Sequence, residues 1–145
     1  MAQQARHQAA VVQAGKLLLI QHHFFANDES WWNLPGGRQE PGETGFETVA
    51  REVREETGLL VRVEKLLLDE PYQGPGRYNA YKTYLCKPLS GTAAPGREPE
   101  ADTQSLYEIS AVCWVDLWDE SSWGEDIRTN PVTGPQIRRI RDRLP

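Results

Sequence analysis

A chain of 145 residues, 39% hydrophobic and 26% charged, has the size and balance of one globular domain with a buried core. Its longest aliphatic runs, at residues 17–20 and 66–68, are far too short to cross a bilayer, and its polar first residues lack an apolar stretch of signal-peptide length, so a cytoplasmic protein is expected. A net charge of −5 argues against an extended nucleic-acid backbone as partner.

Residues 9–14 and 16–25 are rich in strand formers and meet at Gly15, which predicts a tight hairpin at the start of a sheet. Thr44 follows a Pro-Gly-Glu turn and has Glu47 three residues on, the pattern of a capping box, so a helix should begin near Gly45. It should end at Gly58, because neither glycine nor proline interrupts residues 46–57. At helical spacing Phe46, Val49, Ala50 and Val53 form one stripe for packing, and Glu52, Glu55 and Glu56 form the stripe beside it. Residues 59–68 and 78–86 read as two further strands joined by the turn-rich stretch 71–77. Residues 88–103 read as a long polar loop carrying Glu98, Glu100 and Asp102. A short strand at 111–115 and a helix at 131–144, with Ile137, Ile140 and Leu144 on one face, complete a mixed α/β pattern. Cys86 and Cys113 lie in apolar contexts without metal-ligand spacing and are expected to be free, buried thiols.

The acidic stripe is the informative feature. Glu52 faces both Glu55 and Glu56 at i,i+3 and i,i+4, spacings at which like charges repel by a few tenths of a kcal/mol each. A hard divalent cation such as magnesium or manganese would supply the missing positive charge, and such cations serve phosphate chemistry.

Residues 37–59 carry Gly37, then Glu43 after five free residues, then seven more before Arg51-Glu52-Val53, Glu55-Glu56 and Gly58-Leu59. This spacing resembles the Nudix signature at every defined position. Trp31-Trp32-Asn33-Leu34-Pro35-Gly36 is similar to the family's approach to its box, and Cys113-Trp114-Val115 to a strand near its end. The resemblance implies a single Nudix hydrolase domain over residues 1–145, an α/β/α sandwich with a mixed β-sheet. It implies Mg2+, or Mn2+, bound by Glu52, Glu55, Glu56 and the backbone carbonyl of Gly36, with Glu43 and Arg51 in support; Arg51 would hold neighbouring carboxylates in place. The implied reaction is attack of water on a pyrophosphate bond in a nucleoside diphosphate linked to another group. The base that takes the water's proton stays open among Glu52, Glu98, Glu100 and Asp102, with Glu108 behind them.

A small-molecule nucleotide is the expected partner. Trp31, Trp32, Tyr72, Tyr78 and Tyr81 are stacking candidates for its base, and Arg77 and Lys82 are candidate phosphate contacts. His22 and His23 should point in opposite directions, so at most one faces a substrate cleft. Gly74-Pro75-Gly76 lacks the sequel of a phosphate-binding loop and reads as a turn. Pro71, Tyr72 and Tyr78 depart from the spacings diagnostic of relatives specific for ADP-ribose or dinucleoside polyphosphates, so the substrate is left open. Trp118 and Trp123 read as exposed aromatics at an interface or lid, and a homodimer is left open. The alternative reading is a noncatalytic module that binds nucleotides as a sensor.

Overall fold

Ala14 and Gly15, both at positive φ (51° and 74°), turn strand β1 (Gln4–Gln13) directly into β2 (Lys16–Phe24). The computed structural model describes residues 4–97 and 106–145. After β2 come β3 (Glu29–Asn33), β4 (Gly36–Arg38), helix α1 (Gly45–Thr57), β5 (Leu60–Pro71), β6 (Tyr78–Ser90) and β7 (Tyr107–Asp116). A 3-10 turn (Glu120–Ser122) and helices α2 (Glu125–Arg128) and α3 (Thr133–Arg143) follow.

β1 and β2 join two sets of strands into one mixed sheet. β1 runs parallel to β6 from Ala5↔Ala80 to Val11↔Cys86 and antiparallel to β4 from Arg6↔Arg38 to Gln8↔Gly36, while β5 lies antiparallel to β6. β2 is antiparallel to both β3 and β7. Both central strands are buried on both faces, as their near-continuous apolar runs require. Ala9, Val11 and Leu18 pack with Val49 and Val53 of α1, whereas Ala10, Leu17 and Leu19 pack with Ile127, Ile137 and Ile140 of α2 and α3. Two cores on opposite faces of one sheet make the expected α/β/α sandwich.

Several elements depart from the sequence reading. β1 begins at Gln4, because His7 and Gln8 are buried polar residues with partners: His7 Nδ1 lies 2.9 Å from Tyr84 Oη, and Gln8 Nε2 donates to Thr83 Oγ1 at 3.0 Å. β6 continues through Pro88 to Ser90. Its pairing with β1 ends at Cys86, so beyond that point a proline without an N–H can face the open side. Trp123 is a core residue rather than an exposed one, with its indole N–H donating to the Asp116 carbonyl at 2.6 Å; Trp118 is exposed as expected. On α1, Phe46 is largely exposed and meets Tyr84 edge-on at 5.5 Å, and the buried face is rotated toward the acids to take in Glu52 and Glu56. Cys86 is buried and Cys113 half-buried; both are free, and burial raises their thiol pKa values to about 12 and about 11.

Candidate active site

The register of α1 is set at both ends. Thr44 Oγ1 accepts from the Glu47 N–H at 3.1 Å while the Glu47 carboxylate accepts from the Thr44 N–H at 3.0 Å, and Gly58, at φ 78°, closes the helix by donating to the Arg54 carbonyl. The segment after β6 braces the last turn, where the Ala94 N–H donates to the Thr57 carbonyl at 3.0 Å and the Gly96 N–H to that of Glu56 at 2.8 Å.

With the helix so fixed, Glu52 and Glu56 point into the gap between α1 and β4 and are almost fully buried, at 6% and 1% exposure. Glu56 Oε1 accepts from the Gly36 N–H at 2.8 Å. A Cβ on Gly37 would fall 2.5 Å from Glu52 Oε1, so the glycine keeps that side of the carboxylate clear.

Arg51 supplies positive charge to the cluster. Its Nη1 donates to Glu52 at 3.0 Å and to Glu55 at 3.2 Å, its Nη2 donates to the Arg38 carbonyl, and Glu43 grips its other edge. The hydrogen bonds from Arg51 hold the Glu43 carboxyl at about 2, and bonds from the Glu40 N–H and the Thr48 hydroxyl act in the same direction. The same contacts push the Arg51 pKa further up.

Beside this face opens a cavity of about 590 Å³, within the usual range of small-molecule sites. Phe24, Trp31, Tyr78 and Tyr107 give it aromatic walls; Arg6, Asn27, Asn33 and Arg77 give it polar ones. His22 joins the two regions. Its ring lines the cavity edge-on to Tyr107, with centroids 4.9 Å apart, and its Nε2 lies 3.9 Å from Glu56 Oε2. His23 turns the other way and meets Asp28 at 2.6 Å.

The family model described as NUDIX domain matches residues 4–133. The chain belongs to the Nudix family. With it comes membership of the pyrophosphohydrolase class. A MutT-like protein of Streptomyces ambofaciens is 34% identical over 72% of this chain and 70% of its own length. An 8-oxo-dGDP phosphatase of Homo sapiens, NUDT18, is 40% identical over 50% of this chain, which corresponds to only 21% of that longer protein. A crystal structure of a Nudix hydrolase from Nitrosomonas europaea superposes with a TM-score of 0.72 at 23% identity, covering 99% of this chain and 73% of the other.

Within the Nudix box, Glu43, Arg51, Glu52 and Glu55 form one hydrogen-bonded group, and Glu56 is tied to Gly36 beside it. Among the described residues no three Asp, Glu, His or Cys side chains are already gathered to hold a metal ion. The donor set nonetheless fits a hard divalent cation, because it offers carboxylate oxygens on one helix face and a glycine that leaves space beside Glu52.

Of the residues expected to bind substrate, Trp31, Arg77 and Tyr78 line the cavity. Tyr81 packs between Tyr78 and Tyr72, with centroid distances of 6.0 and 5.2 Å, and neither Tyr81 nor Tyr72 is on the cavity wall. Trp32 packs against the core and donates its indole N–H to Asp126 at 2.8 Å. Lys82 is paired with Asp69. Glu98, Glu100 and Asp102 lie outside the described residues, and Glu108 sits on β7 near His23. Arg6, Phe24, Asn27, Asn33 and Tyr107 join the cavity without having been expected there. Only a correct start for β1 would have pointed to Arg6, and no local spacing marks the others.

Proposed function

We propose that this Nudix chain, as a single domain over residues 1–145, hydrolyses the pyrophosphate bond of a nucleoside diphosphate linked to another group. Mg2+, or Mn2+ in its place, would be held by Glu52, Glu55, Glu56 and the Gly36 carbonyl. The observation that carries this reading is the His22–Glu56 contact, which sets an aromatic cavity of nucleotide size directly against the carboxylate face. The nucleotide substrate named for the human relative supports the same class.

When bound, the divalent ion supplies charge for the phosphate oxygens and lowers the pKa of a coordinated water. The chain's own residues do the rest. Arg51, braced by Glu43, orients the Glu52 and Glu55 carboxylates. Gly36 fixes one oxygen of Glu56 and leaves the other directed toward His22. Glu52 is the described carboxylate we assign to accept the proton of the attacking water, with Glu100 and Asp102 as the competing assignments. Aromatic walls orient the nucleoside, with Tyr78 and Arg77 in direct contact. A cytoplasmic setting fits the nucleotide substrate and the free state of Cys86 and Cys113.

The test is phosphate release from nucleoside diphosphates and triphosphates, nucleotide sugars, ADP-ribose and dinucleoside polyphosphates. Each is assayed with Mg2+, with Mn2+ and with chelator, and with a phosphatase to reveal monoester products. Metal-dependent turnover of one group names the substrate class. Silence across the panel with nucleotide binding retained would replace hydrolysis by the sensor reading.

A further inference from the structure

Glu55 and Glu56 occupy the last turn of α1, where the negative end of the helix dipole opposes a carboxylate and the backbone carbonyls run out of partners within the helix. A segment from outside the helix supplies the missing donors. After β6, Gly91 passes beside the Gly58 carbonyl, the Ala94 N–H donates to the Thr57 carbonyl at 3.0 Å, and the Gly96 N–H donates to the Glu56 carbonyl at 2.8 Å. Gly96 is a glycine for want of space. Its φ lies outside the left-handed region, so the backbone conformation itself would admit other residues. A Cβ there, however, would collide with the Glu55 carbonyl oxygen and fall 2.8 Å from the Glu56 carbonyl carbon. These are helix backbone atoms, which cannot swing aside as the end of a side chain can.

Glu56 is thus held twice, by the Gly36 N–H at its carboxylate and by the Gly96 N–H at its backbone carbonyl. One contact sets where the carboxylate points, the other where its backbone sits. Helix ends fray when their carbonyls are left open, and a frayed last turn would carry Glu55 and Glu56 out of the strict geometry that an ion such as Mg2+ demands. We propose that Gly96 is a positioning residue for the cation: by holding the Glu56 carbonyl it keeps the last turn of α1 in the form that binds a divalent ion, so that closure of segment 91–96 and ion binding favour one another. The inference rests on the proposed function only in taking Glu55 and Glu56 as ligands. Such coupling is reciprocal, so whatever factor closure adds to ion affinity, the ion must add to closure.

The experiment uses Mg2+ alone on the intact protein and reads binding rather than turnover. Amide hydrogen exchange of the wild type is followed without Mg2+ and at saturation. Protection of the Gly96 amide should rise about fivefold or more. The Tyr72 amide, bonded to the Asn79 carbonyl at 2.9 Å in the turn between β5 and β6, is the reference and should change less. Isothermal titration of Gly96→Ala, at a temperature where circular dichroism shows it folded, should give a Mg2+ Kd weaker by about the same factor. If Gly96→Ala does not fold, the exchange result on the wild type decides alone. Mg2+ that saturates the wild type without changing protection at Gly96 would overturn the proposal. So would a folded Gly96→Ala that melts lower yet keeps the wild-type Kd, because the glycine would then serve the fold alone. A wild type that binds no Mg2+ would remove the proposed ligand set and this inference with it, whereas binding indifferent to Gly96 removes this inference only.

Discussion

Arg51 and Glu43 meet through two parallel hydrogen bonds, Nε to Oε2 at 2.7 Å and Nη2 to Oε1 at 3.0 Å, and the remaining nitrogen of the guanidinium holds Glu52 and Glu55. A bidentate pair of this kind fixes orientation as well as charge. Glu43 sits in the turn before α1 and Glu52 and Glu55 on the helix itself, so the arginine ties the loop to the carboxylates that face the proposed metal.

Glu43→Gln keeps the size of the side chain and removes the charge that grips Arg51. It should lower stability by about 1–2 kcal/mol at pH 7 and reduce turnover about tenfold or more as Glu52 and Glu55 lose their fixed rotamers. The pH response has a defined direction. Hydrogen bonds from Arg51 hold the Glu43 carboxyl at about 2, below its ordinary 4.5, so its stabilising contribution is complete above 4.5 and is lost as pH falls toward 2. Urea midpoints measured from pH 6 to pH 2.5 should fall more steeply for the wild type than for Glu43→Gln. Parallel curves would show that the pair does not carry the acid sensitivity.

Glu56→Gln separates the site from the fold. The Gly36 N–H can still donate to the amide oxygen, so the melting temperature should change little, while metal-dependent turnover should drop by about 100-fold or more. Circular dichroism melts and steady-state kinetics on the same preparation decide it. A folded variant with wild-type kcat/KM would remove Glu56 from the proposed ligand set.

The helix and its caps were legible because every signal for them is local. Thr44, Glu47 and Gly58 act within a turn of themselves, and the two-residue hairpin at Ala14 and Gly15 needs only its own dihedral angles. What stayed hidden depends on tertiary context. His7 and Gln8 become strand residues through partners on β6, more than seventy positions away in the chain. Glu52 and Glu56 read as one edge of an amphipathic helix, yet β4 covers them, and β4 is three residues long with two glycines, too short and too plain to announce itself. The cavity draws on β1, β2, β3, β6 and β7, and no spacing along the chain records that Asn33 and Tyr107 share a wall.

Gly36 and Gly37 should respond differently to alanine. At Gly36 a new Cβ would collide with backbone, the His7 carbonyl and Gln8 Cα, which cannot yield without parting β1 from β4. Gly36→Ala should therefore cost about 2–4 kcal/mol, visible as a lower urea midpoint. At Gly37 the obstacle is the Glu52 carboxylate, the end of a side chain that can rotate. Gly37→Ala should cost about 1 kcal/mol or less but depress turnover at least tenfold by displacing Glu52. Equal stability losses with unchanged activity at Gly37 would mean that the position of Glu52 is not critical.

Magnesium should stabilise the folded chain even with no substrate present, because an ion held by Glu52, Glu55 and Glu56 relieves the repulsion among carboxylates that Arg51 offsets in part at Glu52 and Glu55. At ten times its Kd the ion adds about 1.4 kcal/mol, or about 3–6 °C in Tm for a chain of this size. Chelator should reverse the shift. Glu52→Gln and Glu55→Gln should each shrink it, whereas Glu108→Gln, on β7 beside His23, should leave it intact. A shift of the same size in all three variants would place the ion elsewhere on the protein and leave the acidic face of α1 without its assigned role.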